Sequence, residues 1–152
     1  MKKNLMSKVG TLASASDVAV ALQMGGTPLA ARIERGDIFA EQCPSRQILK
    51  HVTSRWGVLV LVALAGGTYR FSDLRRKVAG VSEKMLAQTL QSLETDGFVK
   101  RVSYPVVPPH VEYSLTLLGV EVGKKVESLA DWIEFNLLDI LDAQAKHAPE
   151  NQ

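Results

Sequence analysis

Three polar side chains recur at helical spacing near the middle of the chain. Lys84, Gln88 and Gln91 stand at positions i, i+4 and i+7, so a helix places them in one stripe. A glutamine amide can bond the exposed edge of adenine, and a lysine can bind guanine O6 and N7 or a backbone phosphate. The stripe therefore suits contact with the major groove of DNA. Taken alone, it also fits an ordinary solvated helix face.

Further candidate contacts surround this stripe. Ser82 is a predicted N-cap, and the helix N-terminus behind it can hold a phosphate through backbone N–H groups. The other candidates are basic: Arg70, Arg75, Arg76 and Lys77 before the stripe, and Arg101 and His110 after it. We expect the earlier group to fix the phosphate backbone and the later pair to contact phosphate or the minor groove.

Charge is distributed unevenly along the 152 residues. The whole chain has a net charge of only +2, with 46% hydrophobic and 22% charged residues, which fits one globular domain. Residues 69–101 hold seven basic and four acidic side chains, whereas residues 116–152 hold three basic and seven acidic ones. A basic middle segment favours a polyanionic partner, although solvated helix faces would give the same pattern.

Membrane insertion and secretion are not expected. The longest apolar run, residues 58–65, has eight residues, far fewer than the roughly 20 of a membrane span. No continuous apolar stretch follows Lys2 and Lys3, and one cysteine cannot build a disulfide framework. We therefore predict a cytoplasmic protein with no membrane partner.

Cys43 is the single cysteine, and it directly precedes Pro44. Proline suits the first helical position, so Cys43 falls at the predicted N-cap, where the helix dipole favours a thiolate. Cys43 is thus a candidate sensor of an oxidant or a small electrophile. A small apolar packing role is the alternative, and both interpretations stay open.

Catalytic and metal-binding roles find little support. A catalytic cysteine needs a positioned base, and His51 lies eight residues after Cys43 with no obvious route to it. The other histidines, His110 and His147, are far apart, and no HExxH, CxxC or glycine-rich phosphate loop occurs. We expect no catalytic residue, no metal site and no cofactor.

The predicted elements form a mainly α protein with a small β-hairpin. Helices start at Pro44 and again after a break near Ser54. The remaining elements are a short edge strand at 68–70, a helix capped by Ser72, the helix after Ser82, two strand-like runs around the PVVPP sequence, and one long helix capped by Thr116. Two short helices and a hairpin in this order predict a winged helix-turn-helix.

The long C-terminal helix carries an apolar stripe suited to self-association. We predict dimer contacts at Val126, Leu129, Ile133, Leu137 and Ile140. The expected organisation is an extension over 1–40, partly disordered or helical, a DNA-binding domain over 41–145 that includes the dimerisation helix (about 116–145), and a tail over 146–152. A protein-interaction module without DNA binding is an alternative.

A ligand-gated regulator is a further alternative. Trp56, Trp132 and Phe135 could line a cavity at the dimer interface. We prefer the interpretation that these three aromatic side chains belong to the core.

Residues 43–119 resemble the HxlR-type winged helix-turn-helix transcriptional regulator family. The most specific pieces are the Cys43-Pro44 pair and the sequences RFSDLRR, LETDGF and YPVVPPHVEYSLT, and the chain is especially similar to small enterobacterial members. The resemblance implies a homodimeric regulator of double-stranded DNA, without enzyme activity, whose terminal helices build the dimer. We predict a repressor.

The resemblance also bears on regulation and on the operator. Some members respond to aldehydes, quinones or other oxidants through the cysteine that matches Cys43. The chain departs from the family at Gln91-Ser92, where Arg-Glu is frequent. This difference affects which operator sequence is expected and leaves the expectation of DNA binding unchanged. Its N-terminal extension is also longer than usual.

Overall fold

The computed structural model describes residues 38–149. The helices there are α1 (Pro44–Thr53), α2 (Arg55–Ala65), α3 (Phe71–Lys77), α4 (Glu83–Thr95), α5 (Leu117–Phe135) and α6 (Leu137–His147), and the strands are β1 (Tyr69–Arg70), β2 (Val99–Tyr104) and β3 (His110–Leu115). The chain divides between Arg46 and Gln47 into two units. The predicted fold class is confirmed, while most of the predicted extension and the end of the tail lie outside the described residues.

The three strands form one antiparallel sheet in the order β1-β3-β2. β2 and β3 are paired from Val99 opposite Leu115 to Tyr104 opposite His110, and residues 105–109 connect them. β1 adds two residues to the other side of β3. The predicted hairpin and the short edge strand are confirmed.

α2 lies at the centre of the core, because Val60 and Leu61 are fully buried. Three leucines of α4 pack inward, as the sequence pattern predicts. The core comprises Val52, Val60, Leu61, Ala63, Leu64, Leu74, Val78, Val81, Leu86, Leu90, Leu93, Val99, Tyr113 and Val126. This shared core fixes α3, α4 and the sheet to one another.

Hydroxyl side chains begin several of these helices. Ser82 Oγ accepts a hydrogen bond from the Met85 N–H at 3.1 Å, and Thr116 Oγ1 accepts one from the Gly119 N–H at 3.0 Å. Both predicted caps are confirmed. The predicted cap at Ser72 is wrong, because α3 already begins at Phe71, directly after Arg70 pairs with β3.

The predicted single C-terminal helix is wrong, because the chain forms α5 and α6 with a break at Asn136. Asn136 has φ −100° and ψ 11°, outside the helical region. Its side-chain Nδ2 donates to the Trp132 carbonyl at 2.7 Å, an acceptor that the Asn136 backbone N–H also uses. This side-chain bond competes with regular helix geometry and accounts for the break.

No single helix among residues 38–149 is long and apolar enough to cross a membrane. α1 and α2 taken together are long and apolar enough, but they are bent by 69° where they join. Within α2, five residues are buried in the protein.

Candidate nucleic-acid interface

α4 presents two distinct faces. Leu86, Leu90 and Leu93 are at most 1% exposed, whereas the side chains of Lys84, Gln88 and Gln91 are exposed. The helix is thereby held by its apolar face and offers one amine and two amides to a partner. The predicted stripe is present on the surface, and its contact with DNA stays a prediction.

The turn over residues 78–82 joins α3 to α4. Val78 and Val81 are buried at its two ends, which anchors the turn in the core. Gly80 has φ +91°, a conformation that L side chains rarely adopt. Two short helices joined by such a turn form a helix-turn-helix, in which α4 is the second helix.

Arg75 links α3 to the start of α4. Its Nη1 lies 3.2 Å from Glu83 Oε1, and its Nε donates to the Val81 carbonyl at 3.5 Å. Arg76 pairs instead with Asp73 within α3. Both arginines stay exposed, so each could also meet a phosphate, but Arg75 additionally fixes the geometry of the turn.

An open groove of about 600 Å³ separates α3 from the N-terminus of α4. Its lining includes Ser72, Arg75, Arg76 and Ser82. The Ser82 hydroxyl accepts from the Met85 N–H, so its own proton remains available to a phosphate oxygen. Arg70 and Lys77, at the two ends of α3, are exposed as well.

The two candidate residues of the hairpin differ in their surroundings. Arg101 is exposed on β2. His110 is partly buried, with its ring stacked on Tyr104 at 4.8 Å and its Nε2 3.3 Å from Glu112 Oε1. Arg101 is therefore the better placed of the two for contact with phosphate.

A contact between His51 and Asp96 ties α1 to the end of α4. His51 Nδ1 lies 2.6 Å from Asp96 Oδ2, and the Asp96 side chain is only 11% exposed. The two residues are 45 positions apart. No local pattern relates them, so sequence reasoning missed this pair.

The start of α5 is attached to the turn that follows α4. Thr116 Oγ1 donates to the Gly97 carbonyl at 2.6 Å, and the Thr116 N–H donates to the Phe98 carbonyl at 3.0 Å. We call these two bonds the Thr116 latch. They connect the turn after α4 directly to the start of α5.

The predicted dimer residues fall into two groups. Leu129, Ile133 and Leu137 are 51%, 43% and 44% exposed, and Ile140 is partly exposed. Val126 is 5% exposed and belongs to the core of its own chain, which does not fit its predicted place on a dimer surface.

The expectation that all three aromatic side chains are core residues is wrong for two of them. Trp132 is 59% and Phe135 90% exposed, beside Leu138 at 82%. Trp56 does pack against the core, and the Arg55 guanidinium lies 4.3 Å from its ring centroid. Sequence reasoning missed Leu138, although it continues the apolar pattern around the break.

Cys43 directly precedes α1, as predicted. It is 6% exposed; its N–H donates to the Ala40 carbonyl at 3.1 Å, and its carbonyl accepts from the Arg46 N–H at 3.0 Å. Across residues 38–149 no three His, Cys, Asp or Glu side chains are grouped so that they could hold a metal ion.

Comparison with known proteins identifies the family. The profile of the HxlR-like helix-turn-helix family matches residues 51–140. The HTH-type transcriptional regulator YtfH of Escherichia coli (strain K12) is 65% identical over 125 residues, which cover 82% of this chain and 99% of the relative.

Two solved structures show the same likeness. The transcriptional regulator YtfH of Salmonella typhimurium has a TM-score of 0.70 and 73% identity, covering 72% of this chain and 98% of that one. The redox regulator HypR in its oxidised form has a TM-score of 0.57 and 35% identity, covering 62% and 97%. The chain belongs to the HxlR-like helix-turn-helix family of DNA-binding transcriptional regulators, and it is not an enzyme.

Proposed function

We propose that the chain is a homodimeric, sequence-specific repressor that binds double-stranded operator DNA in the cytoplasm. The observation that carries this proposal is α4, whose leucine face is buried while Lys84, Gln88 and Gln91 are exposed on a helix-turn-helix. The second helix of this motif enters the major groove in proteins that use it. The exposed amides then face base edges.

Base reading and phosphate binding fall to different residues in this proposal. Gln88 and Gln91 select adenine, and Lys84 binds guanine or phosphate. The groove beside Ser82, together with the basic side chains of α3 and Arg101, holds the phosphate backbone. Phosphate contacts set affinity and its salt dependence, while base contacts set sequence preference.

Fluorescence anisotropy with fragments of the chain's own promoter region tests DNA binding. Gln88→Ala should lose roughly 1–3 kcal/mol of discrimination at one base pair. Arg76→Ala should weaken all sequences alike and reduce the salt slope by about one unit. Lys125→Ala is the matched control, because Lys125 is an exposed cation on α5, outside the helix-turn-helix. If the protein shows no salt-sensitive binding to any genomic fragment, the proposal is overturned.

Dimerisation is supported by the apolar surface of α5 and α6. Trp132, Phe135 and Leu138 are more than half exposed on these two helices, and Leu129 on α5 is a further exposed apolar side chain. Large apolar patches of this kind usually mark association sites. Two α4 helices related by a two-fold axis would read half-sites about one DNA turn apart. A monomer in light scattering at micromolar concentration would contradict this part of the proposal.

We further propose that an oxidant or small electrophile acts through Cys43 and releases the DNA. Support comes from the position of Cys43 before α1, from the His51–Asp96 contact between α1 and α4, and from the similarity to HypR, described as a redox regulator. With one cysteine per chain, a disulfide requires the partner subunit or a small thiol.

The sensor role is tested by mass spectrometry after diamide or quinone treatment, paired with DNA affinity. Treated wild-type protein should carry an adduct at Cys43 and bind DNA more weakly, whereas Cys43→Ser should bind equally well before and after treatment. Oxidant-dependent release that survives in Cys43→Ser would exclude the sensor role. A promoter reporter checks the sign, since repression predicts higher expression after treatment.

A small ligand at the dimer interface is a second candidate effector. The exposure of Trp132 and Phe135 favours it, because aromatic side chains on a subunit surface can line a shared cavity. Calorimetric titration of the dimer with aromatic aldehydes or quinones, using Cys43→Ser to prevent covalent reaction, tests it. Heat that persists in Trp132→Ala would place the ligand elsewhere.

A further inference from the structure

Arg55, the first residue of α2, is an exposed cation without an acidic partner. Within the described part of the chain, residues 38–149, no aspartate or glutamate pairs with its guanidinium. Arg75 and Arg76 differ, because each of them already pairs with a carboxylate of its own chain. The charge of Arg55 is therefore available to an anion outside the chain.

The guanidinium of Arg55 is held by the neighbouring indole. Its Cζ atom lies over the Trp56 ring, 4.3 Å from the ring centroid. A cation in this position is attracted to the electron-rich face of the ring. Stacking through the flat face leaves the N–H groups along the edge of the guanidinium free to donate to an anion. Because the side chain is already ordered, less conformational entropy is lost on binding.

The backbone that carries Arg55 is fixed as well. The Ser54 hydroxyl caps α2 by accepting from the Gly57 N–H at 3.1 Å, and it donates to the His51 carbonyl at 2.9 Å. A Cβ atom at Gly57 would stand 2.1 Å from that carbonyl oxygen, so the start of α2 lies directly against α1. The stacked arginine thus projects from a closely packed junction of two helices.

The same indole connects Arg55 to the helix-turn-helix. Trp56 packs against the core, and its Cη2 atom lies 3.8 Å from the position of a Cβ atom at Gly80. Gly80 belongs to the turn between α3 and α4, and it lines the groove together with Arg75 and Ser82. One indole ring therefore neighbours both the guanidinium and the turn, which places Arg55 beside the proposed phosphate contacts.

We propose that Arg55 is a phosphate-binding residue of the DNA interface, that Trp56 orients it, and that it holds the turn before α4 against the DNA backbone. This inference rests on the proposed function and adds a contact from outside the two helices of the motif. A guanidinium can bind one phosphate through two parallel N–H···O bonds. Phosphate contacts carry no base identity, so Arg55 raises the affinity for every sequence and helps to set the orientation of α4 on the duplex.

Anisotropy titrations over a range of salt concentrations test the charge of Arg55. Arg55→Gln keeps a flat side chain without the charge, and Arg55→Ala removes both. Each should weaken binding about tenfold at low salt, for operator and unrelated DNA alike, and reduce the salt slope by about one unit. Arg55→Lys keeps the charge on a flexible stem, so it should retain the slope and bind roughly threefold more weakly. Lys125→Ala, which removes one exposed cation from α5, is the control and should bind as wild type.

Thermal unfolding separates phosphate binding from a purely structural role of the stacked pair. The Arg55 variants should remain folded, because this side chain is exposed. If Arg55→Ala and Arg55→Gln lower the Tm but keep the wild-type salt slope, Arg55 only stabilises the fold and the proposal is overturned. A loss of affinity confined to one operator sequence would indicate a base contact and would overturn it too.

A double-mutant cycle tests whether the indole orients the arginine. Trp56→Phe offers a smaller ring face, so it should weaken DNA binding roughly threefold in the wild-type background and have no further effect in Arg55→Ala. Circular dichroism checks that each variant is folded. Equal effects of Trp56→Phe in the two backgrounds would overturn the positioning role of Trp56.

The inference and the proposed function fail in distinguishable ways. If Arg76→Ala flattens the salt slope while Arg55→Ala and Arg55→Gln bind as wild type, the assignment of Arg55 is overturned and DNA binding stands. If the wild-type protein binds no DNA fragment, both are overturned together.

Discussion

Gly119 lies where α5 passes closest to the turn after α4. A Cβ atom built at this position would stand 1.9 Å from the Phe98 carbonyl oxygen and 2.9 Å from its carbon. An ordinary carbon–oxygen contact is about 3.3 Å or longer. Gly119→Ala therefore requires backbone to move by more than 1 Å. The Phe98 carbonyl cannot shift alone, because it accepts the Thr116 N–H of the latch.

The size of the effect follows from three contributions. Overpacking costs about 1–3 kcal/mol, and weakening the latch bond adds about 1 kcal/mol. Alanine has a better helix propensity than glycine, which offsets about 1 kcal/mol. The free energy of unfolding should fall by about 1–3 kcal/mol, which corresponds to a Tm decrease of roughly 4–12 °C for a domain of this size.

Gly123→Ala is the matched control on the same helix. Its Cβ would meet Leu115 Cδ1 at 3.6 Å and the Leu61 carbonyl at 4.0 Å, which are ordinary contacts. This variant should be unchanged or more stable by up to about 1 kcal/mol. Thermal and urea unfolding at fixed protein concentration measures both variants. If Gly119→Ala is as stable as Gly123→Ala, the close approach of α5 to Phe98 is not real.

Three shorter predictions concern other contacts. Ser82→Ala should lower stability by about 1 kcal/mol in thermal unfolding, because the Met85 N–H loses its cap, and Ser82→Asp should retain the cap. Substitutions of His51 and Asp96 by alanine should be non-additive by about 1 kcal/mol in a double-mutant cycle, and additivity would exclude coupling across this contact. Leu138→Glu should leave the fold unchanged by circular dichroism and shift the protein from dimer to monomer in sedimentation.

The features that could be predicted from the sequence are those that depend on neighbouring residues. The caps at Ser82 and Thr116 and the leucine face of α4 depend on residues within one or two helical turns. The Ser72 cap failed because pairing of Arg70 with β3 determines where α3 starts. Strand pairing between distant segments overrode a good local cap residue.

Non-local and ambiguous features could not be predicted. His51 and Asp96 are brought together only by the fold. The apolar spacing continues smoothly across Asn136, so periodicity gave no sign that a side-chain bond to Trp132 ends α5. Apolar periodicity also cannot distinguish a helix face that packs in the core from one that stays exposed, as Trp132 does.

In the proposed dimer, the Thr116 latch links the geometry of the operator to α5. α5 has 19 residues, about 28 Å at 1.5 Å per residue, and runs between the latch and Asn136. In the proposed dimer, the spacing of the two half-sites then depends on the length of α5, while the bases read depend on α4. One residue inserted into α5 would rotate the dimer surface by about 100° around the helix axis. In such a dimer, substitutions in α4 can gradually change which operator sequence is recognised. The half-site spacing that is recognised changes only when residues are inserted into or deleted from α5, which is a discrete and disruptive step.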